Sequence, residues 1–406
     1  RSLLSFVFSW RRLLKFHTAV FDMAAAGQVV ERAQRWRLPG SASAAGEFRR
    51  QIEALRPIRP AVEAARADLE AVMAGKPREF RRGAVAIFIP ESALVHSPEN
   101  PVFADIRKIL AETLQALDEM QAPYTLHARL HNHGTPLVPE DVSYISHHTM
   151  SGKTNGLHFK VTDRPHCFSF DRRGYSGWAE FADMTAEALA HVDQAEADLV
   201  FEQDRARVIG GNVSKYAQPD AAAASPGGEP WIFVALQTAN DAVQKLARMP
   251  MLDMLAEVAE EGRRRGIRVI VKRHPRCFNK KVGVALRAGT DAGLFELSTA
   301  SIHALITGSC AVCTVNSSVG AEALLHLKPV YLFGRSEYQS ACYQIHAPGD
   351  FSRLFAPDRL PLPPEDIRRF QFLLRKTFAH DIEQATFPFF LRHRLSYAIE
   401  AARALP

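Results

Sequence analysis

A lysine, an arginine, an imidazole and a proline close one apolar run of this chain, Val269-Ile-Val-Lys272-Arg273-His274-Pro275. Further on, a second apolar run ends in Thr314-Val-Asn316-Ser317-Ser318-Val-Gly320-Ala-Glu322. Each reads as a strand feeding a turn. A helix opening at Ser317 and Ser318 would present free backbone N–H groups and the positive end of its dipole, which suits a phosphate. His274 could hydrogen-bond that phosphate or protonate a leaving oxygen, and Pro275 fixes the turn that carries it. Glu322, one turn into the helix, could accept hydrogen bonds from sugar hydroxyls. The pair of motifs therefore predicts a site for a phosphorylated, hydroxyl-rich ligand such as a nucleotide sugar. Taken alone, the second motif also fits a plain helix cap with a solvated Glu.

A third strand signal, Trp231-Ile-Phe-Val-Ala-Leu-Gln237-Thr-Ala-Asn-Asp241, runs from a buried strand into a polar loop. Ligands of open α/β sheets bind at the carboxyl ends of strands, so Gln237 and Asp241 are site candidates. Asp241 fits a helix N-cap equally well. Upstream, Phe170-Asp-Arg-Arg-Gly-Tyr175-Ser176-Gly177-Trp178-Ala-Glu180 surrounds two aromatics with small residues and ends in a carboxylate. Tyr175, Ser176 and Trp178 could position a sugar, and Glu180 could activate an acceptor hydroxyl. The same spacing fits a tight turn into a helix over 179–191, with Glu180 in its first turn. His147 and His148 lack a carboxylate or third imidazole at ligand spacing, so no metal is predicted.

Positioning these residues requires strands and helices in alternation, and the sequence supplies them. Residues 1–80 read as helical. Strands are expected near 84–90, 124–130, 142–146, 157–161 and 168–170, with a helix over 102–120. Gln218–Pro230 concentrates Pro, Gly and small residues and reads as a linker. The pattern then restarts with strands at 231–236, 267–272 and 329–333, another ending at Val315, and helices at 250–265 and 318–326. The tail over 364–405 reads as helical. The class is α/β. The expected organisation is an acceptor-side domain with a helical leader over 1–217, a linker over 218–230, a nucleotide-binding domain over 231–363 and terminal helices over 364–406.

The chain has 406 residues, 47% of them hydrophobic, enough for two packed cores and incompatible with a disordered protein. A net charge of +6 favours anionic ligands but is too scattered to argue for nucleic acid. Five cysteines form no disulfide framework, and Cys310 and Cys313 sit in an apolar run that reads as a buried strand, so they are expected to be structural thiols of a reducing cytosol. No window reads as a membrane span. The apolar residues from Leu3 to Leu14 fall at helical spacing opposite Arg11, Arg12 and Lys15. That pattern fits either an interfacial helix on an anionic membrane or a helix docked on its own domain.

In this order, the Tyr175–Glu180 block, Gln237 to Asp241, His274-Pro275 and Asn316–Glu322 resemble the retaining β-Kdo transferases of bacterial capsule and O-antigen assembly. Kdo is 3-deoxy-D-manno-oct-2-ulosonic acid. The resemblance covers roughly residues 140–335, and the O-antigen type is the nearer branch in module size. It implies a GT-B-like fold, two Rossmann-like domains with a cleft between them and C-terminal helices packing back on the first. It implies CMP-Kdo as donor, no required cofactor, and a lipid-linked or polymeric glycan as acceptor, in the cytoplasm or on the inner face of the membrane, with other glycosyltransferase modules as further partners. By the same resemblance Asp241 would be the nucleophile and Glu180 would assist the acceptor. His274 would hold the CMP phosphate with Asn316, Ser317 and Ser318, and Glu322 would take the ribose or base. Lys272, Arg273, Lys160, Arg172 and Arg173 are candidates for the Kdo carboxylate. The competing readings are a glycerophosphotransferase with a CDP-linked donor, which shares a Lys-x-His-Pro-like element, and a non-catalytic glycan-binding module.

Overall fold

The computed structural model describes residues 3–19, 21–95, 101–130, 138–150, 154–220 and 229–404. The middle of the expected linker, residues 221–228, lies outside the described residues, as do Ser151 and Gly152 of the histidine-containing block and the side chains of Leu3, Phe6 and Val7. The chain divides into two compact units. The first comprises residues 1–160, 170–174 and 381–406, and the second residues 161–169 and 175–380.

The first unit opens with helices Leu3–Ala19, Met23–Arg35, Ser41–Leu55 and Arg59–Met73. Trp10 is buried, and Leu13 and Leu14 pack with it against Val29 and Ala33 of the second helix. Among the described residues this is the docked arrangement. Strands β1 (Val85–Pro90), β2 (Tyr124–Arg129), β3 (Tyr144–His147), β4 (Gly156–Val161), β5 (Cys167–Asp171) and β12 (Ala379–Asp381) form a sheet in the order β12-β5-β4-β3-β1-β2. The pairs β1·β2, β1·β3 and β3·β4 are parallel. Asp68 fastens the fourth helix to the sheet. Its carboxylate accepts from Ala128 N at 3.0 Å, lies 2.9 Å from His127 Nδ1 and pairs with Arg78. Helix Phe387–Ala404 belongs to this unit too, and its Ala398 carbonyl accepts from Ser143 Oγ at 2.7 Å.

The second unit is built on β6 (Trp231–Ala235), β7 (Val269–Lys272), β8 (Glu296–Leu297), β9 (Ser309–Thr314), β10 (Val330–Leu332) and β11 (Tyr343–Gln344). All five pairings are parallel, in the order β8-β7-β6-β9-β10-β11. Counted within the unit this is 3-2-1-4-5-6, the strand order of dinucleotide-binding Rossmann sheets, whose topological switch point lies between the first and fourth strands. Those are β6 and β9. Their residues are buried on both faces, as a parallel sheet covered by helices requires. Trp231, Phe233 and Ala235 pack on one side and Ile232 and Val234 on the other, the period of two expected of a strand.

The α/β class with two Rossmann-like, largely parallel sheets is therefore present as expected. Three details differ. The tail is not continuously helical: after helix Pro364–Leu373 and a π-helical turn, Ala379–Asp381 becomes strand β12 of the first sheet. No helix covers 179–191. Two 3-10 turns, Ser176–Trp178 and Glu180–Asp183, precede a short helix Ala186–Ala190, because Ala179 and Met184 take extended backbone. The Tyr175–Glu180 block, expected in the domain 1–217, clusters with the second unit. It does so because it docks on the segment after β10. Arg335 Nε donates to Gly177 O, and Gln339 Nε2 donates to Ala182 O at 2.8 Å. All five cysteines are buried and free, including Cys310 and Cys313 on β9.

Candidate functional site

A cavity of about 560 Å³ opens at the carboxyl edge of the second sheet. Its wall collects residues from four strand ends: Leu236 after β6, Lys272 to Pro275 at the end of β7, Ser298 and Thr299 after β8, and Ser317 to Val319 with Glu322 after β9. A strap over residues 214–219 completes it. The two motifs that predicted a phosphate and hydroxyl site thus line one space.

His274 is poised as a donor. Its Nδ1 accepts the Arg276 backbone N–H at 3.1 Å, so in the neutral ring the proton sits on Nε2. Burial lowers its pKa, with the Asp241 charge opposing and Lys215 and Arg276 reinforcing the shift. The ring stands edge-on to Tyr216, centroids 5.1 Å apart. At the second motif the helix runs from Val319 to Leu325. Tyr338 O–H donates to Ser317 O and fixes its entry. Gly320 is required by packing, since a Cβ there would stand 2.5 Å from the Tyr338 ring.

Glu322 is the most informative residue of the cavity. It is 1% exposed and lines the wall. Oε1 accepts from Ser214 Oγ at 3.0 Å, while Oε2 has no hydrogen-bond partner and lies 3.8 Å from His303 Nε2. Burial, aided by the Asp163 charge, pushes its pKa up to about 8. A buried, half-satisfied carboxyl on a cavity wall is a polar group short of one hydrogen-bond partner.

Other predicted residues are engaged with the protein itself or lie at its surface. Asn316 is 4% exposed and fully engaged: its N–H donates to Gln237 Oε1 at 3.1 Å and its Oδ1 accepts from Gln237 Nε2 at 2.7 Å. Its Nδ2 donates to Val243 O at 2.8 Å and Arg335 O at 3.2 Å. Asn316, expected to bind phosphate, thus has its amide N–H groups engaged within the protein in this structure. Gln237 is its partner in a strut across the switch point. Lys272 donates to the Thr299 and Ala300 carbonyls, and Arg273 to Asn279 O at 3.0 Å. Pro275 is exposed at the turn.

Asp241 does not line the cavity. It is exposed on the loop after β6 and accepts from Val243 N at 3.2 Å, capping the 3-10 turn Ala242–Leu246. The cap is thus present, and the Asp241 charge also reaches His274, Lys215 and Tyr216. In the upstream block, the Tyr175 and Trp178 rings are 5.3 Å apart, and Ser176 takes the left-handed backbone with φ of 51°. Gly177 meets the Arg335 carbonyl so closely that a Cβ would fall 2.6 Å from its oxygen. Glu180 is exposed at the start of its 3-10 turn. Lys160, Arg172 and Arg173 belong to the other unit, where Lys160 Nζ lies 2.9 Å from His148 Nε2.

Sequence reading missed the strap. Asn212-Val-Ser214-Lys215-Tyr216 sits just ahead of the linker composition, and no periodicity marks it. A cluster of a hydroxyl, a cation and an aromatic in a non-helical stretch is the only signal it offers.

Fold and cavity define a Rossmann-like unit with a polar-lined cavity beside its switch point. Residues 205–346 match the family described as "Capsule polysaccharide biosynthesis protein". That segment contains the whole cavity wall and Asp241, whereas Tyr175–Glu180 precede it. Among solved structures, the chain is similar to the β-Kdo 2,4 transferase KpsC of Thermosulfurimonas dismutans, with TM-score 0.47 and 14% identity over 78% of this chain and 99% of that one. For the KpsC β-Kdo 2,7 transferase of the same organism the values are 0.42 and 15%, over 77% and 98%. For the wall teichoic acid polymerase TagF they are 0.26 and 11%, over 87% and 99%. No curated protein matches the chain in sequence.

Proposed function

We propose that this protein is a glycosyltransferase of bacterial surface-polysaccharide assembly that moves a β-Kdo residue from CMP-Kdo to a glycan hydroxyl with retention. The observation that carries the reading is the convergence of His274, Ser317, Ser318 and the half-satisfied Glu322 on one cavity at a Rossmann sheet's carboxyl edge. The motif order around it supports the choice of donor, and the family match of the same segment supports the setting.

In this reading the CMP phosphate lies against His274 Nε2 and the Ser317–Ser318 turn, and a nucleotide hydroxyl hydrogen-bonds Glu322 Oε2. An Asp241 oxygen attacks the anomeric carbon. The bond from that carbon to the phosphate oxygen breaks, its electron pair leaves on CMP, and His274 stabilises the developing charge. The acceptor hydroxyl then gives its proton to Glu180 and displaces the Asp241 carboxylate. Two inversions give net retention. The Gln237–Asn316 strut holds the Val243 carbonyl and so fixes the turn that Asp241 caps. No step is routed through a metal.

A donor panel tests this. Purified protein is incubated with CMP-Kdo, CDP-glycerol or UDP-sugars and candidate glycan acceptors, and nucleotide release and product anomeric configuration are measured. CMP release coupled to a β-linked Kdo product is expected. Turnover of CDP-glycerol or a UDP-sugar with none of CMP-Kdo would overturn the assignment.

A further inference from the structure

Four cations line the cavity: Lys215, Lys272, Arg273 and Arg287. Lys272 and Arg273 are committed to backbone carbonyls, and Arg287 is exposed on helix Lys280–Asp291. Lys215 differs. It is half-buried and makes no hydrogen bond or ion pair among the described residues.

Its backbone, by contrast, is held on both sides. Val213 O accepts from His303 Nε2 at 2.8 Å, and Ser214 bonds Glu322. Tyr216 packs on His274 and lies under Arg276, whose guanidinium carbon is 4.9 Å from the ring centre. Gln218 Oε1 accepts from Ile302 N at 3.0 Å. A strap tethered at four successive points delivers one unpartnered ammonium into the cavity. The charges that reach it are Asp241, Asp163, Glu337 and Arg276, and its own charge reaches His274. Burial depresses its pKa, with the Asp241, Asp163 and Glu337 charges opposing the shift and Arg276 reinforcing it.

We propose that Lys215 is the cavity's anion-contacting residue and pairs with an oxyanion of the donor, either the nucleotide phosphate or a carboxylate on the transferred sugar. The inference rests on the nucleotide-sugar reading above. Charge-assisted hydrogen bonds fall in a range that makes the loss on removing one about 10–100-fold in affinity.

The test uses the full chain, with Lys215→Met and Lys215→Arg, and three ligands: cytidine, CMP and CMP-Kdo. Calorimetry gives affinities for the first two and steady-state turnover gives KM for the third. Cytidine affinity should be unchanged in both variants, since it carries no anion. If the partner is the phosphate, Lys215→Met loses CMP affinity about 10–100-fold. If it is the sugar carboxylate, CMP affinity holds and KM for CMP-Kdo rises by that factor. In either case Lys215→Arg should recover most of the loss. CMP affinity and CMP-Kdo KM both within twofold of wild type in Lys215→Met would overturn the proposal. So would an equal loss for cytidine, which would make Lys215 a support of the strap. A wild-type protein that binds neither CMP nor CMP-Kdo would instead remove the function on which the inference rests.

Discussion

Glu322 enters its helix with both carboxylate oxygens below the surface and only one of them bonded. Its folded pKa, about 8, lies above the ordinary carboxylate value, so folding takes up a proton between roughly pH 4.5 and 8. Stability from this residue is fully present below that window and is lost as pH rises through it. Glu322→Gln removes the titration. The variant should gain about 1–3 kcal/mol over wild type at pH 8.5 and nothing at pH 4.5, read by urea unfolding across that range. A parallel pH dependence in both proteins would refute the protonated-carboxyl account. Asp241 stands at the other extreme, exposed and with a single cap bond. Asp241→Ala should therefore cost about 1 kcal/mol or less of stability while abolishing transfer. Intact-protein mass spectrometry of wild type with CMP-Kdo and no acceptor should show one Kdo on the peptide containing residue 241. An adduct elsewhere, or an inverted product, would rule out Asp241 as nucleophile.

At the scale of elements, the site is a property of strand ends and of what braces them. The apolar runs at 231–236 and 267–272 and the run ending at Val315 were legible as strands because each is short, buried and followed by a polar turn. That Gln237 and Asn316 face each other was not legible, for it depends on β9 lying beside β6 and not beside β8, its neighbour in sequence. The same long-range pairing gives Asn316, a predicted ligand contact, the bonds of a brace. Asn316→Ala should leave the carbonyls of Val243 and Arg335 and the Gln237 amide short of partners. A loss of about 2–4 kcal/mol in stability is expected, together with a drop in kcat larger than any change in CMP affinity, because the Asp241 turn loosens while the cavity stays. Calorimetry with CMP beside turnover with CMP-Kdo separates the two. A large loss of CMP affinity would return Asn316 to the ligand role.

At the scale of the whole molecule, the chain passes between its two compact units several times, and residues 161–169 are a short excursion that clusters with the second. Composition could not show this, since nothing in Val161–Ser169 resembles a domain boundary and the Pro- and Gly-rich stretch drew the expected break to 218–230 instead. What fastens the excursion is a buried ion pair. Arg375 donates from Nη1 and Nη2 to the two oxygens of Asp163 at 2.7 and 2.6 Å, and Arg164 pairs with Asp204 at 2.9 Å. Burial alone would raise the Asp163 pKa, but Arg375 and Arg164 outweigh it and hold the carboxyl well below the usual range. Its contribution to stability is therefore present above the unfolded carboxylate value near 4 and fades as pH falls below it. Removing one member of such a pair strands the other charge in the interior, which costs about 3–5 kcal/mol. Asp163→Ala should thus destabilise the second unit by that amount at pH 7. Replacing Asp163 and Arg375 together by apolar residues should recover most of it, because neither charge is then left unpaired. Hydrogen exchange with peptide resolution reads the outcome where it belongs. Protection should fall over β6, β7 and β9 in Asp163→Ala and persist over β1 to β3. Equal loss across both sheets would mean that the clamp stabilises the chain as one cooperative body, and no loss anywhere would mean that apolar packing suffices without it.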